Sequence, residues 1–138
     1  MGPLADQRVC LDTTFLVDLL RNVPEATEKA ERLTREGWTF DTTSVNAFEL
    51  FMGAFRATSP RRLTAAEGLL GEVNLLNLGM KESREAGRLL AGLQRKGETV
   101  EIRDVFIAGI AMSNDCHNIL TRNVTHFKRF TELKMISY

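Results

Sequence analysis

The chain has 138 residues, of which 43% are hydrophobic and 26% are charged, and its formal net charge is zero. These values are typical of a single globular domain spanning residues 1–138, and they argue against a protein that binds nucleic acid through overall positive charge alone. No apolar stretch approaches the roughly 20 residues that a membrane span needs, and residues 1–8 lack the apolar core of a signal peptide, so we expect a cytoplasmic protein. Residues 1–7 are expected to be flexible.

Hydrophobic periodicity and helix boundary signals divide the chain into short elements. Strands are predicted at 8–11, 38–42, 73–78, 118–121 and 134–137, and helices at 14–21, 25–36, 44–57, 61–71, 81–96, 104–114 and near 125–130. Short strands that alternate with helices predict a parallel sheet covered on both faces. The predicted fold class is therefore α/β.

Cysteine and phenylalanine positions are assigned to the interior. Cys10 and Cys116 are too few for a disulfide framework or a thiolate zinc site, and we interpret both as reduced thiols of the core or its edge. Phe48, Phe51 and Phe55 recur at helical spacing, which predicts core or dimer contacts and not a platform for stacking bases.

Three acidic residues stand at the edges of apolar segments. Asp12 follows the first predicted strand, Glu49 lies in the helix after the second, and Asp104 opens a late helix. In open α/β sheets, residues at strand-to-helix turns converge beyond the carboxyl ends of the strands. Carboxylates that lie close together repel unless a proton or a cation compensates them, and Mg²⁺ is typically held by a few carboxylates. The pattern predicts a metal site built from Asp12, Glu49 and Asp104.

Each acid also has a plainer interpretation. Aspartate is among the preferred N-cap residues, so Asp12 and Asp104 could each serve only to cap a helix. A glutamate on a helix is usually solvated. Glu49, however, stands between Phe48 and Leu50, and this apolar context makes a solvated face less natural.

Four stretches carry a resemblance to a known family. They are VCLDTTFLVDLLR at 9–21, SVNAFELFMG at 44–53, RDVFIAGIA at 103–111 and ILTRNVTHF at 119–127. In this order and spacing the chain resembles PIN-domain proteins, and within them the VapC toxins of prokaryotic toxin-antitoxin pairs. The resemblance implies a three-layer α/β/α fold with a central, mainly parallel sheet of about four or five strands. It also implies a Mg²⁺- or Mn²⁺-dependent endoribonuclease, a homodimer, and a cognate antitoxin that covers the active site.

The resemblance assigns roles to individual residues. Asp12, Glu49 and Asp104 match the family's first three acids. Asp12 and Asp104 would hold the ion and so activate a water for in-line attack on the scissile phosphate, while Glu49 would bind the ion through water or steer the nucleophile. Thr13 falls at a hydroxyl position that commonly supports the site, and it is predicted to contact the RNA substrate.

The turn that should carry a fourth acid departs from the family's pattern, because residues 121–127 contain no carboxylate. Family members often have asparagine at the place of Asn123 and an acid near the place of His126, so Asn123 is predicted to offer the ion an amide oxygen. His126 has no second histidine or cysteine at ligand spacing and is interpreted as a surface or turn residue. Three cations flanking this turn are predicted to position RNA phosphates: Arg122, Lys128 and Arg129.

Two other enzyme classes with acidic sites do not fit the sequence. A phosphatase of the haloacid dehalogenase type needs a second aspartate two residues after the nucleophile, where this chain has Thr14. A phospho-accepting receiver domain needs paired acids near its start and a lysine in a later strand, and this pattern is missing. A PIN module that binds RNA or a protein without cutting RNA stays open as an alternative, because the fourth acid is missing.

Overall fold

The computed structural model describes residues 7–138, so the expectation of a flexible start concerns residues outside the described ones, apart from Gln7. The strands are β1 (Arg8–Leu11), β2 (Thr39–Thr43), β3 (Asn74–Leu76), β4 (Asn118–Leu120) and β5 (Lys134–Ile136). The helices are α1 (Thr13–Leu20), α2 (Pro24–Arg35), α3 (Ser44–Arg56), α4 (Pro60–Leu70), α5 (Met80–Arg95), α6 (Ile102–Ser113) and α7 (Val124–Phe127). Over this described range, no helix has both the length and the apolar character required to cross a membrane.

The five strands form one parallel sheet in the order β3-β2-β1-β4-β5. β1 lies at the centre, where Cys10 is in register with Asp41 of β2 and with Ile119 of β4. Parallel neighbours need crossover connections, and the helices supply them. The predicted α/β class with a parallel sheet is confirmed.

Two apolar cores, one on each face of the sheet, hold the helical layers. Successive strand residues point to opposite faces. Cys10 and Ile119 belong to the core formed with α5, α6 and α7. Their neighbours Val9 and Leu120 belong to the other core, where Phe15 lies among residues of α1, α2, α3 and α4. The arrangement is the three-layer α/β/α fold that the resemblance implied.

Both cysteines are buried, as the sequence predicted. Burial, followed by the charge of Asp41, raises the pKa of the Cys116 thiol to about 12. Burial likewise raises the pKa of Cys10 well above its ordinary value. Both side chains therefore stay protonated at neutral pH and have little nucleophilic reactivity.

Helices α5 and α6 pack closely where Gly109 meets Ala86. A Cβ atom on Gly109 would lie 2.8 Å from the backbone nitrogen of Ala86 and 2.9 Å from its Cα atom. Backbone atoms cannot move aside as a flexible side chain can, so glycine is required for this approach. The contact fixes the position of α6, the helix that carries Asp104.

The predicted elements agree with the observed ones to within about three residues at each end. One difference bears on the site, because α6 begins at Ile102 and Asp104 lies within its first turn, whereas the sequence predicted that Asp104 opens the helix. The predicted core position is wrong for Phe48 and Phe55 of α3, because their exposed fractions are 63% and 66%. Phe51 is half-buried against the core.

Candidate metal centre and active site

The candidate site lies at the carboxyl ends of the central strands. From β1 the chain passes to β2 and β3 on one side of the sheet, whereas β4 and β5 lie on the other side. The carboxyl ends of β1 and β4 therefore flank a topological switch point, the usual ligand position in an α/β sheet. Asp12 stands there, directly after β1, and its N–H donates to the Leu120 carbonyl oxygen at 2.9 Å.

The side chain of Asp12 is held by donors from distant elements. Asp12 occupies the N-cap position of α1, but its carboxylate makes no capping hydrogen bond, so the interpretation as only a helix cap is wrong. Its oxygens accept hydrogen bonds from the Thr121 hydroxyl at 2.8 Å and from the Asn46 amide at 3.3 Å. With 1% of its surface exposed, Asp12 is a buried carboxylate aimed into the site.

Glu49 enters the site from α3. Thr43 and Asn46 form a capping box that starts this helix at the carboxyl end of β2. The Thr13 hydroxyl donates to Glu49 Oε1 at 2.5 Å and accepts a hydrogen bond from the Asn46 amide at 3.0 Å. Asn46 therefore connects to Asp12 directly and to Glu49 through Thr13.

Asp104 lies in the first turn of α6 and is 3% exposed. Burial raises the pKa of its carboxyl above the ordinary value, and interactions with Arg103 and His126 oppose that shift. The Nδ1 atom of His126 lies 3.7 Å from Asp104 Oδ2. His126 is exposed, as expected for a surface or turn residue, and it borders the site near Asp104, where the resemblance places the family's fourth acid.

One cation joins the three carboxylates. Arg103 donates from Nε and from Nη2 to the two oxygens of Glu49, each at 2.7 Å. Nη2 also donates to Asp12 Oδ1 at 3.2 Å, and Nη1 donates to Asp104 Oδ1 at 2.5 Å. Burial alone would lower the pKa of this guanidinium, but hydrogen bonding to Glu49 and the charges of the three carboxylates outweigh burial and raise it. Arg103 is therefore permanently charged at this position.

The donor set suits a hard divalent cation. Asp12, Glu49 and Asp104 present carboxylate oxygens, which Mg²⁺ and Mn²⁺ prefer as ligands. All three contact a single guanidinium, so their oxygens border one space of about that size. Within residues 7–138, the observed side-chain positions bring no three His, Cys, Asp or Glu residues into an arrangement that could hold a metal ion. The donor chemistry of the three acids suits such an ion, and the Arg103 guanidinium occupies the space between them.

The turn after β4 holds the residue predicted for the fourth position. Asn123 is exposed at the N-cap position of α7, where its side chain makes no capping hydrogen bond. Its backbone N–H donates to the Thr121 hydroxyl at 2.9 Å. The Thr121 hydroxyl in turn donates to Asp12, so the backbone of Asn123 is linked to Asp12 through Thr121.

The three predicted phosphate-binding cations differ in their surroundings. Arg122 pairs with the buried carboxylate of Asp18, which also accepts a hydrogen bond from the Tyr138 hydroxyl. Arg129 donates to the carbonyl oxygen of Thr99. Lys128 is exposed. To bind RNA phosphates, Arg122 and Arg129 would therefore have to give up part of these contacts within the protein.

A groove between α1, α3 and α4 reaches Glu49. Its apolar lining residues are Val17, Leu20, Leu50, Ala54, Ala65 and Ala66. Three cations also line it: Arg21, Arg61 and Arg62. An apolar floor with a basic border suits an amphipathic helix that carries acidic residues.

Three residues of the site were missed at the level of sequence: Asn46, Thr121 and Arg103. The capping-box spacing of Thr43 and Asn46 signals the start of α3, but it does not show that the Asn46 amide reaches Asp12. Thr121 and Arg103 contact Asp12 from 109 and 91 residues away along the chain. Contacts at such separations depend on the tertiary fold, so no local pattern could have found them.

The sequence matches the PIN domain family over residues 9–133. The tRNA(fMet)-specific endonuclease VapC of Salmonella typhimurium is 29% identical over 126 residues, which cover 91% of this chain and 93% of that protein. Ribonuclease VapC19 of Mycobacterium tuberculosis is 29% identical over 124 residues, covering 90% of this chain and 95% of the relative.

Solved structures agree with this match. DNA-bound VapBC from Salmonella typhimurium is similar with a TM-score of 0.82 and 27% identity, covering 94% of this chain and 97% of that one. VapBC-1 from nontypeable Haemophilus influenzae is similar with a TM-score of 0.81 and 26% identity, at the same coverage of 94% and 97%. The resemblance found in the sequence is confirmed.

Proposed function

The chain belongs to the PIN domain family, and on that premise we propose that it is a metal-dependent endoribonuclease, the toxin of a VapBC-type toxin-antitoxin pair. The observation that carries the proposal is the convergence of Asp12, Glu49 and Asp104 on one space at the switch point of the sheet. Two relatives that match nearly the whole chain are named as an endonuclease and a ribonuclease, which supports cleavage of RNA. We expect the protein to act in the cytoplasm, where its RNA substrate is made.

We assign Mg²⁺ or Mn²⁺ to the space between the acids. Asp12, Glu49 and Asp104 would hold the ion, and the amide oxygen of Asn123 would be a further ligand. When bound, such an ion lowers the pKa of a water ligand and offsets the negative charge that develops on the scissile phosphate. The oxygen-only donor set supports this choice over softer metals.

The hydrogen bonds behind the acids orient them for this task. Thr121 and Asn46 fix the Asp12 carboxylate, and Thr13 fixes the carboxylate of Glu49. Mutation of partners of this kind typically lowers metal affinity or activity by about 10–100-fold. Since the Thr13 hydroxyl already donates to Glu49, we propose that it acts on the substrate through that contact.

RNA is held through its phosphates by Arg122, Lys128 and Arg129. Lys128 is exposed and ready for such a contact, whereas Arg122 and Arg129 would exchange part of their protein contacts for phosphate oxygens. Contacts of this type position the backbone and carry no sequence information.

A cognate antitoxin covers the site. The groove that reaches Glu49 can seat an apolar helix face, and Arg21, Arg61 and Arg62 favour acidic residues on that helix. An arginine or lysine of the antitoxin would then reach the carboxylates, with which it pairs well. Two of the similar structures are VapBC complexes, which supports such a partner.

A second copy of the chain is a further proposed partner. The implied homodimer stays a prediction, and α3 offers a surface for it in Phe48, Met52 and Phe55. These side chains are exposed and recur on one side of the helix. Burying them in a dimer would remove apolar surface from water.

An inactive PIN module that binds RNA or a protein is the second candidate. Two observations favour it: residues 121–127 contain no carboxylate, and Arg103 lies between the acids. A cation held in that position could mark a pocket that has lost its metal.

A cleavage assay with purified protein separates the two candidates. We expect the wild type to cut RNA with Mg²⁺ or Mn²⁺ and to stop with a chelator, while Asp104→Asn, purified in parallel, stays inactive because it lacks a ligand. Equal, chelator-resistant cleavage by both proteins would contradict the site assignment. RNA binding by the wild type without cleavage in either ion would favour the inactive module.

A further inference from the structure

The position of Arg103 has a consequence for metal binding, which rests on the metal site proposed above. Its three donor nitrogens contact Asp12 Oδ1, both oxygens of Glu49 and Asp104 Oδ1. These oxygens face the space that a metal ion would need. A guanidinium can donate two parallel hydrogen bonds to a carboxylate, and it keeps its charge at any ordinary pH. The acids are therefore occupied by a cation from their own chain.

A divalent ion and the Arg103 guanidinium cannot share these oxygens. Mg²⁺ binds oxygen at about 2.0–2.1 Å and keeps several water ligands, so it needs the volume that the guanidinium fills. Placing both cations there would also bring like charges into contact. With Arg103 in place, the side chains within residues 7–138 are not arranged to bind a metal ion.

A change of the Arg103 side-chain rotamer is the smallest motion that would take the guanidinium out of the pocket. It lies in α6 next to Asp104, so the helix backbone need not move, and about a quarter of its side chain, 26%, is exposed. Because Arg103 directly precedes Asp104 in the chain, its backbone stays beside the pocket after its side chain has left. With all three carboxylates ionised, one guanidinium cannot neutralise the pocket, so a divalent ion has an electrostatic advantage in the exchange.

We propose that Arg103 is an internal counter-cation of the acidic pocket, which holds the metal-free site together and must be displaced when the metal ion binds. The chain thus sets its own metal affinity, because only the fraction of molecules with Arg103 displaced is competent to bind. If that fraction is about one tenth, removing the guanidinium tightens the apparent metal affinity about tenfold.

The first test observes the wild-type protein directly, so it does not depend on a variant that folds. In protein labelled with ¹⁵N in arginine, the Nε–H resonance of Arg103 is followed by NMR as Mg²⁺ is added, and Arg103→Lys identifies that resonance by its loss. We expect it to move to the position of a solvated arginine in step with metal binding. The Nε–H of Arg8, which donates to Asp41 at 3.0 Å, is the internal control and should not move. An Arg103 resonance that stays in place while the site saturates would overturn the proposal.

The second test compares Mn²⁺ affinities by calorimetry. Arg103→Gln should bind about tenfold more tightly than the wild type. Arg88→Gln is the matched control, because it removes an arginine whose ion pairs are with Glu85 and Glu132, and its affinity should equal that of the wild type. Equal or weaker binding by Arg103→Gln, with normal binding by the wild type, overturns the role of Arg103 and leaves the nuclease proposal intact. If neither protein binds Mn²⁺, the metal site itself is wrong and both proposals fail.

Discussion

Two arginines of this protein meet buried aspartates in opposite kinds of surroundings. Arg8 approaches the fully buried Asp41 from Nε at 3.0 Å and from Nη2 at 2.8 Å. Neutral groups complete that cluster, since the Asn74 amide donates to Asp41 at 3.2 Å and Arg8 Nη1 donates to the Asn114 carbonyl oxygen at 2.6 Å. One cation there meets one anion, whereas Arg103 meets three carboxylates.

The difference lies in charge balance and not in burial. The Arg8 cluster is neutral as a whole and links β1, β2 and the segment after α6, so it is a structural ion pair. The Arg103 pocket keeps an excess of negative charge that a metal ion from solution can offset. Buried ion pairs alone are weak evidence for a functional site. An unequal number of anions and cations is better evidence, and it is what distinguishes these two clusters.

Removing Arg8 should have the largest effect on stability. Arg8→Met leaves the Asp41 carboxylate buried without its cation, which should lower the free energy of unfolding by about 3–5 kcal/mol in urea denaturation at neutral pH. The double variant Arg8→Met with Asp41→Leu is the control, because it removes both charges and should recover most of the loss. Unfolding of Arg8→Met at the urea concentration of the wild type would show that the pair is not structural.

Removing a carboxylate from the other cluster should act on the reaction instead. We expect Asp12→Asn to slow RNA cleavage at least about a hundredfold, equivalent to about 2.7 kcal/mol of transition-state stabilisation. Its free energy of unfolding should be unchanged or slightly higher, because repulsion among the acids is relieved. Single-turnover cleavage and urea denaturation measure the two quantities. Full cleavage by Asp12→Asn, or a stability loss as large as that of Arg8→Met, would contradict the assignment of a functional role to the Arg103 pocket and a structural role to the Arg8 cluster.

Adding a carboxylate should sharpen the contrast further. His126→Asp places an acid next to Asp104, so Mn²⁺ should raise its melting temperature by about 4 °C more than that of the wild type, corresponding to about tenfold tighter binding. Asn123→Asp is the matched variant on the same turn, because it replaces the proposed amide ligand with a carboxylate. The position whose variant gains more stabilisation from Mn²⁺ is the counterpart of the family's fourth acid. If neither variant gains stabilisation from Mn²⁺, this turn does not face the metal ion.

A third ion pair, between the buried Asp18 and the exposed Arg122, supplies a smaller and pH-dependent test. Burial, then the hydrogen bond to Asp18 and its charge, raise the pKa of Tyr138 from about 10 to about 12. A raised folded-state pKa stabilises the fold fully below pH 10, and this contribution is lost as the pH rises from about 10 to about 12. Tyr138→Phe should therefore lose less stability than the wild type across that interval in urea denaturation. Parallel profiles for the two proteins would show that the phenol is not coupled to folding.

The elements were predictable from local patterns, whereas the choice of the three acids rested mainly on the family resemblance. Alternation of short strands and amphipathic helices indicates the layers, because periodicity reflects which face of an element is buried. Asp12 and Asp104 stand at the starts of helices, and the parallel sheet directs those starts to one edge. The family resemblance, carried by the four stretches between 9 and 127, supplied the expected function.

Only the tertiary structure decided what surrounds those acids. Arg103 is one of 18 lysines and arginines in the sequence, and nothing in its neighbourhood shows that it contacts Asp12 across 91 residues while Arg122 pairs with Asp18. Partners at such distances are chosen by sheet order and helix packing, as in the contact of Gly109 with Ala86. Sequence periodicity determines which residues face inward, but the balance of charge at one point depends on how separate elements meet, and that is set only when the whole chain is folded.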